Sequence, residues 1–305
     1  MRRVLLGLGL LLVAACQSAP PPAGGRVAVE PERPKAPPRV LLDIETLADD
    51  SFLGRAAGTP GGQLAAAFVE RRFREIGIDG AFGAGFRQRV VLPTGGEGVN
   101  IVGQVPGTVF PQQAILVTAH FDGMGVRSGR VFNGADDNAS GVAALLYLAE
   151  QFATDSPAHT ILFAALDAEE IGLVGARTLA DDPPMPLGAV LAVVNLDMVS
   201  RGPLWAAGTT HYPHLRPILE RAASLRFGHD TGAGADNWTG ASDHAVFHRR
   251  GIPFVYLGVE NHPDYHQPTD DADRIDPSVL AVAVDAIVRV VRALDESHAA
   301  LVQGR

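Results

Sequence analysis

Short apolar runs alternate along the chain with segments whose apolar residues recur at helical spacing. Helical spacing is present at residues 63–76 and 141–152. The apolar runs are rich in β-branched and aliphatic residues, which is typical of buried strands. There are four such runs, at residues 114–119, 160–166, 189–196 and 253–257. This alternation predicts an α/β fold in which helices cover both faces of a layered sheet.

The segment that begins at residue 276 has the clearest helix signals in the chain. Asp276 can cap a helix, and Pro277 fits its first turn. The expected apolar face consists of Val279, Val282, Ile287, Val290, Val291 and Leu294. We therefore expect a long amphipathic helix near the end of the sequence.

The first residues have the features of an export signal. Two arginines follow Met1, residues 4–15 are uninterruptedly apolar, and small residues precede Cys16. The apolar run is too short to span a bilayer permanently. We expect a bacterial lipoprotein signal at residues 1–15, cleaved before Cys16, whose thiol and new amino group then carry lipid. The alternative is an ordinary secretory signal with an incidental cysteine, but the lack of a second cysteine for a disulfide favours lipidation.

A proline-rich stretch at residues 16–38 follows and predicts an extended, solvated spacer between the lipid anchor and the rest of the chain. Residues 39–305 then suit one folded domain. Ser18 favours the outer membrane, so the expected location is the cell envelope, facing the periplasm or the cell surface. The formal net charge of −9 argues against nucleic-acid partners.

Five side chains that can bind metal ions stand at or near the expected ends of apolar strands. They are His120, Asp136, Glu170, Asp197 and His266. Sheets of this kind carry their sites at the carboxyl ends of strands, so these side chains are expected to converge. Two imidazoles and three carboxylates are a ligand set for a pair of zinc-like ions, and Glu169 is free to handle a proton. The pattern predicts a metallohydrolase.

Some of these residues also have a purely structural interpretation. His120 could be a satisfied core histidine, although Asp122, two residues later, can fix its tautomer. Asp136 and Asp137 precede a helix and could cap it. Capping requires only one of the two, which leaves room for a carboxylate that bridges two metal ions.

The other candidates differ in how strongly their surroundings indicate a metal. Glu169 and Glu170 lie between apolar segments, where paired carboxylates repel each other unless a cation or a proton compensates. Asp197 interrupts an apolar run and would be costly in a core unless it is paired or bound to metal. His266 lies in a polar loop and indicates little by itself.

Taken together, these segments resemble peptidase family M28, the zinc aminopeptidases, from about residue 41 to residue 294. The matching motifs, in the family's order, are GRAAGTPGG, AHFDG, GADDNASG, EEIGLVGA, NLDMV, SDHAVF with GIP, and YHQPTD. The resemblance implies a three-layer α/β/α sandwich around a mixed, mostly parallel sheet, of the zinc-peptidase or phosphorylase/hydrolase-like kind. It also implies two zinc ions, one bound by His120 and Asp197 and the other by Glu170 and His266. Asp136 matches the aspartate that bridges them, with a cis peptide expected between Asp136 and Asp137.

The same resemblance implies roles for residues beside the ligands. Glu169 matches the general base. Tyr265 matches a tyrosine that stabilises the oxyanion in some members, with a surface aromatic as the alternative. Asp122 and Asp137 are expected to support the ligands, and Asp243 matches a recurring family element to which no chemical step is assigned.

The implied reaction is removal of N-terminal residues from peptides that have a free α-amino group. Two alternatives on the same fold are a single-zinc glutaminyl cyclase, which transfers rather than hydrolyses, and a non-catalytic binding relative. The complete ligand set and Tyr265 favour a peptidase. A serine hydrolase is poorly supported, because neither Ser140 nor Ser242 lies in a G-x-S-x-G motif.

Overall fold

A mixed sheet lies at the centre of the part of the chain that the computed structural model describes, namely residues 35–93, 95–231 and 237–304. Nine strands of these residues form the sheet: β1 (Asp79–Gly80), β2 (Arg87–Val91), β3 (Glu97–Val105), β4 (Phe110–His120), β7 (His159–Leu166), β8 (Val190–Leu196), β9 (Trp205–Ala207), β10 (Arg226–Phe227) and β11 (Phe254–Gly258). Two short strands, β5 (Gly125–Arg127) and β6 (Arg130–Phe132), pair as a separate hairpin. The predicted signal sequence, Cys16 and most of the predicted spacer lie outside the described residues.

The strands are ordered β1-β3-β7-β4-β8-β11-β9-β10, with β2 also paired to β3. The four central strands, β7, β4, β8 and β11, run parallel to one another. The strands β1, β2 and β3 pair antiparallel at one side of the sheet, and β9 pairs antiparallel with β11. The predicted mixed sheet with a parallel centre is confirmed.

Helices cover both faces of this sheet. Those in the described residues are α1 (Pro38–Leu47), α2 (Pro60–Ile76), α3 (Gly141–Thr154), α4 (Val174–Asp181), α5 (Arg216–Ala222), α6 (His244–His248), α7 (Pro277–Asp295) and α8 (His298–Gln303). Successive side chains of a strand point to opposite faces. Ile115 and Val117 of β4 accordingly join a core with α1, α2, α3 and α7, whereas Leu116 joins a second core with α4 and α6. The three-layer arrangement follows from this alternation.

The predicted elements agree with the structure in kind and differ at their ends. The four apolar runs fall on β4, β7, β8 and β11, and the two internal helical segments fall on α2 and α3. Asp276 caps α7, because its side chain accepts a hydrogen bond of 2.7 Å from the backbone N–H of Ser278. The prediction for Val282 is wrong, since this side chain is 57% exposed. The buried stripe of α7 instead passes through Leu280, Val284 and Ile287, which repeat at helical spacing.

The folded region includes residues before the predicted domain boundary at residue 39. α1 begins at Pro38, and the preceding Ala36 is buried. The backbone N–H of Ala36 donates to the carbonyl of Pro277 over 3.1 Å. None of the helices in the described part of the chain combines the length and the apolar character needed to span a bilayer.

Candidate metal centre

The carboxyl ends of the parallel strands bring the predicted ligands to one edge of the sheet. His120 is the last residue of β4, and Asp197 directly follows β8. Glu170 lies four residues beyond the end of β7, and His266 lies eight residues beyond the end of β11. Because these strands are parallel, residues that follow them meet at the same edge.

One group of possible ligands consists of His120, Asp137 and Asp197. The Nε2 atom of His120 lies 3.4 Å from Oδ1 of Asp137 and 3.5 Å from Oδ1 of Asp197. All three side chains are buried. The Nδ1 atom of His120 lies 3.2 Å from the backbone carbonyl of Asp122, so the ring is held with Nε2 directed at the two carboxylates.

A second group consists of Asp137, Glu170 and His266. The Nε2 atom of His266 lies 3.0 Å from Oδ2 of Asp137 and 3.5 Å from Oε2 of Glu170. Asp137 therefore belongs to both groups, with one carboxylate oxygen directed at each histidine. The structure pairs His120 with Asp197 and Glu170 with His266, as the resemblance implied.

The prediction that Asp136 bridges the two groups is wrong, because its neighbour Asp137 has that position. The carboxylate of Asp136 is fully buried and points away, where it accepts hydrogen bonds from the hydroxyl of Ser140 at 3.0 Å and from the backbone and hydroxyl of Ser200 at 2.8 and 2.6 Å. The second oxygen of Asp136 lies 3.1 Å from Nε2 of His262. Both Asp136 oxygens are thus already occupied by protein donors. The cis peptide bond follows Asp137 rather than Asp136, and so joins Asp137 to Asn138.

Asp122 has the supporting position expected for it. Its two carboxylate oxygens accept hydrogen bonds from the backbone N–H groups of Glu169, at 3.0 Å, and of Glu170, at 3.3 Å. The Oδ1 atom of Asp122 also lies 3.6 Å from Nδ1 of His120. Asp122 therefore links the loop after β7 to the histidine at the end of β4.

The carboxyl groups of Glu169 and Glu170 lie in an environment that disfavours their negative charge. Burial and the nearby Asp137 carboxylate raise the pKa of Glu170 to about 7. Burial likewise raises the pKa of Glu169 well above its ordinary value, although His120 opposes this shift. Asp137 behaves differently, because contacts with His120 and His266 outweigh burial and lower its pKa. Crowded carboxyl groups of this kind are stabilised by cations.

The donor atoms fit zinc. Two imidazole nitrogens and several carboxylate oxygens are ligands that zinc prefers. Among the described residues, Oε1 of Glu170 is buried without a hydrogen-bond partner, so one of its oxygens is left for a cation. Each of the two groups gathers its ligand atoms within 4.8 Å of one another.

A cavity of about 450 Å³ opens onto this centre. The two ligand groups and Glu169 form its polar side. Met198, Trp238, Tyr256 and Val259 form an apolar wall. Tyr265 also lines the cavity, and its ring stacks on His266 with centroids 3.9 Å apart. A lining that combines polar groups with apolar side chains suits a substrate that is held and oriented at the same time.

The sequence analysis assigned no chemical role to three residues that lie near the centre. Asp243 is fully buried next to Glu169, and burial raises its pKa to about 7. Neither of its oxygens has a hydrogen-bond partner in the described part of the chain. Arg55 is completely buried beneath the ligand loops, and His262 contacts Asp136. The motif GRAAGTPGG contains Arg55, but no feature of the sequence indicates which direction its side chain takes.

Comparisons with known proteins identify the family of the chain. The model of peptidase family M28 matches residues 100–291. Aminopeptidase YwaD of Bacillus subtilis strain 168 is 30% identical over 207 residues, which cover 63% of this chain and 44% of that protein. A probable zinc metalloprotease of Pyrenophora tritici-repentis is 33% identical over 153 residues, which cover 46% of this chain and 34% of that protein. The matches therefore span less than half the length of either relative.

The fold is also similar to that of a solved zinc-dependent exopeptidase from Parabacteroides distasonis. The two structures superpose with a TM-score of 0.67 at 18% sequence identity, over 83% of this chain and 97% of the other. At this identity the likeness concerns the fold.

Proposed function

The chain belongs to peptidase family M28, and on that premise we propose that it is an aminopeptidase that uses two zinc ions. The observation that carries this proposal is the position of Asp137, whose two oxygens face His120 and His266 on opposite sides. A carboxylate placed in this way can bridge two metal ions. His120, Asp137 and Asp197 would hold one ion, and Asp137, Glu170 and His266 would hold the other.

These ligands would hold zinc, which would make a bound water more acidic and polarise the carbonyl of the scissile peptide bond. Glu169 lines the same cavity directly beside the ligand Glu170, and its carboxylate is free of the two ligand groups and can accept a proton. It accepts the proton of the attacking water and returns it to the leaving amine. Burial and the surrounding carboxylates raise the pKa of Tyr265, so its hydroxyl stays protonated and can donate a hydrogen bond to the developing oxyanion.

The proposed substrates are peptides with a free N-terminus. The polar lining residues of the cavity suit the amino group and the scissile bond, while Met198, Trp238, Tyr256 and Val259 suit an apolar N-terminal side chain. The two complete ligand groups favour this function over that of a single-zinc glutaminyl cyclase.

The test is hydrolysis of a panel of aminoacyl chromogenic amides by the purified protein, together with the zinc content per chain. We expect release of the chromophore that a chelator abolishes and zinc restores, with two zinc ions per chain at full activity. One metal per chain and cyclisation of peptides with N-terminal glutamine would instead support the cyclase. Activity that persists in a chelator would contradict both.

We also propose that the protein is anchored at the cell envelope through lipid on Cys16. The short apolar run at residues 4–15 and the small residues before Cys16 support this proposal. Mass spectrometry of the protein from a bacterial host should find a diacylglycerol-modified N-terminal cysteine. A Cys16→Ser variant should leave the membrane fraction, and a variant that stays there would contradict the anchor.

A further inference from the structure

Arg55 is a buried cation that bonds to backbone carbonyls instead of to carboxylates. Its Nε atom donates to the carbonyl of Phe121 at 2.9 Å, and Nη1 donates to those of Leu47 at 2.7 Å and Asn133 at 2.5 Å. Its Nη2 atom donates to the carbonyl of Gly134 at 3.0 Å. Within the described residues, no carboxylate oxygen lies within the 4.0 Å of its guanidinium that would define an ion pair.

Three of the four carbonyls that Arg55 binds belong to the two loops that carry proposed metal ligands, and the fourth, that of Leu47, lies at the end of α1. Phe121 directly follows His120, and Gly134 precedes Asp137 by three residues. A guanidinium is a planar fork whose donors have fixed relative directions. This fork thus joins the backbone beside His120 to the backbone before Asp137 through a single side chain.

The surrounding backbone is shaped to admit the Arg55 side chain. Arg55 itself has a left-handed backbone conformation, at φ 54°, as does the preceding Gly54 at φ 64°. A Cβ atom at Gly54 would lie 2.6 Å from the carbonyl oxygens of Gly125 and Phe132. A Cβ atom at Gly134 would lie 3.0 Å from Nη2 of Arg55 and 2.1 Å from the carbonyl oxygen of Asp137. The chain thus turns sharply to direct Arg55 between the two loops.

The positive charge of Arg55 is favoured by nearby carboxylates and disfavoured by burial. The side chain lies close enough to Asp122, Asp137, Glu170 and Asp270 for their charges to act on it. A cation next to a centre for divalent cations repels them through a medium of low dielectric constant. The nearby carboxylates attract the guanidinium, so the effect of its charge on zinc binding has contributions of both signs, and the hydrogen bonds to the two loops act in addition.

We propose that Arg55 is a positioning residue that holds the loops of His120 and Asp137 at the separation required for binding metal ions. This inference rests on the proposed function, because it presupposes that the two ligand groups bind zinc. Loss of Arg55 would remove both its charge and its hydrogen bonds, and these two changes have opposite effects on zinc binding. Relief of repulsion would strengthen zinc binding, whereas loss of positioning would weaken it.

The chain offers a matched control in Arg72, a second buried arginine. Its side chain is 4% exposed and bonds to the carboxylates of Asp43, Glu75 and Glu150, none of which belongs to the metal centre. Replacing Arg72 by Met would also remove a buried guanidinium, and we expect it to destabilise the fold. It leaves the loops of His120 and Asp137 untouched.

The experiment measures zinc affinity of the full chain by competition with a chromophoric chelator, for the original protein and for Arg55→Lys, Arg55→Met and Arg72→Met. Residues that orient metal ligands typically contribute about 10- to 100-fold in affinity, and we expect losses of this size in both Arg55 variants. If Arg55→Met fails to fold, Arg55→Lys still tests the positioning role, because lysine keeps the charge but cannot donate to four carbonyls. Arg72→Met should bind zinc as the original protein does, despite a lower free energy of unfolding.

A second readout is the visible absorption spectrum with Co²⁺ in place of zinc, which reports ligand geometry. It should change in Arg55→Lys and stay the same in Arg72→Met. Unchanged or tighter zinc binding in both Arg55 variants would overturn the proposal, as would an equal loss in Arg72→Met. If the original protein binds no zinc, the proposed function fails instead, so the two failures are distinguishable.

Discussion

Nε2 of His262 lies 3.1 Å from Oδ2 of Asp136. This contact joins the residue before Asp137 to the loop that leads to His266. The other Asp136 oxygen binds Ser200, which lies three residues after Asp197. A carboxylate that binds no metal in the proposed centre thus connects the three loops that carry Asp137, Asp197 and His266.

Two adjacent aspartates should therefore respond differently to the same substitution. Asp137→Asn should lose zinc from both groups, because each group loses its shared carboxylate. Asp136→Asn should keep two zinc ions but become less stable by about 1–3 kcal/mol, the usual cost of a buried hydrogen-bonding group left without its partner. Zinc content and urea unfolding of the two variants measure this. Loss of zinc only in Asp136→Asn would return the bridge to Asp136.

Glu169→Gln should bind metal normally and lose turnover. The amide keeps the shape of the side chain but cannot accept the proton, and such groups contribute about 100- to 10,000-fold to rate. Zinc content and kcat, measured on the same preparation, check this expectation. A fully metallated Gln variant with the original kcat would remove Glu169 from the mechanism.

Trp238→Ala should change the choice of substrate. Trp238 packs edge-on against Tyr256, with ring centroids 5.2 Å apart, and both line the apolar wall of the cavity. Smaller contact area should lower kcat/KM for leucyl and phenylalanyl amides by about 10- to 200-fold, the range for altered contacts in an apolar pocket. Values for alanyl amides should change little. Equal losses on all amides would indicate a role other than side-chain selection.

Two residues on α7 should differ in their effect on stability. Ile287 is completely buried, so Ile287→Ala should lower the free energy of unfolding by about 2–5 kcal/mol. Val282 is 57% exposed, and Val282→Ala should change it by less than about 0.5 kcal/mol. Denaturant unfolding of both variants measures the difference. Similar losses would mean that Val282 lies on the buried face after all, as its spacing first suggested.

Asp295 is not part of the proposed metal centre, and it should make the free energy of unfolding depend on pH. Burial raises the pKa of Asp295, but hydrogen bonds from the His159 ring and from the backbone N–H groups of His159 and Ala158 outweigh burial and lower it. Because its folded pKa lies below the unfolded value of about 3.9, this stabilisation is present above that value and is lost as the pH falls through the folded pKa. With a chelator in both samples, the free energy of unfolding should decrease more steeply below about pH 5 for the original chain than for Asp295→Asn. Parallel curves would contradict this assignment.

The sequence by itself determined which segments become the central strands and which of their ends carry chemistry. Apolar runs such as 114–119 are long enough and β-branched enough to specify buried strands without tertiary context. His120, Glu170 and Asp197 follow such runs, and parallel strands bring their carboxyl ends to one edge. Their convergence was therefore predictable from order along the chain.

Only the tertiary structure decided between neighbours and assigned the supporting residues. Asp136 and Asp137 are chemically identical and adjacent, so their roles depend on the direction that each side chain takes in the 135–140 turn. The roles of Arg55 and His262 depend on contacts with residues more than 60 positions away in the chain. Side-chain direction and long-range contact are set by packing among distant segments, which local spacing in the sequence does not encode.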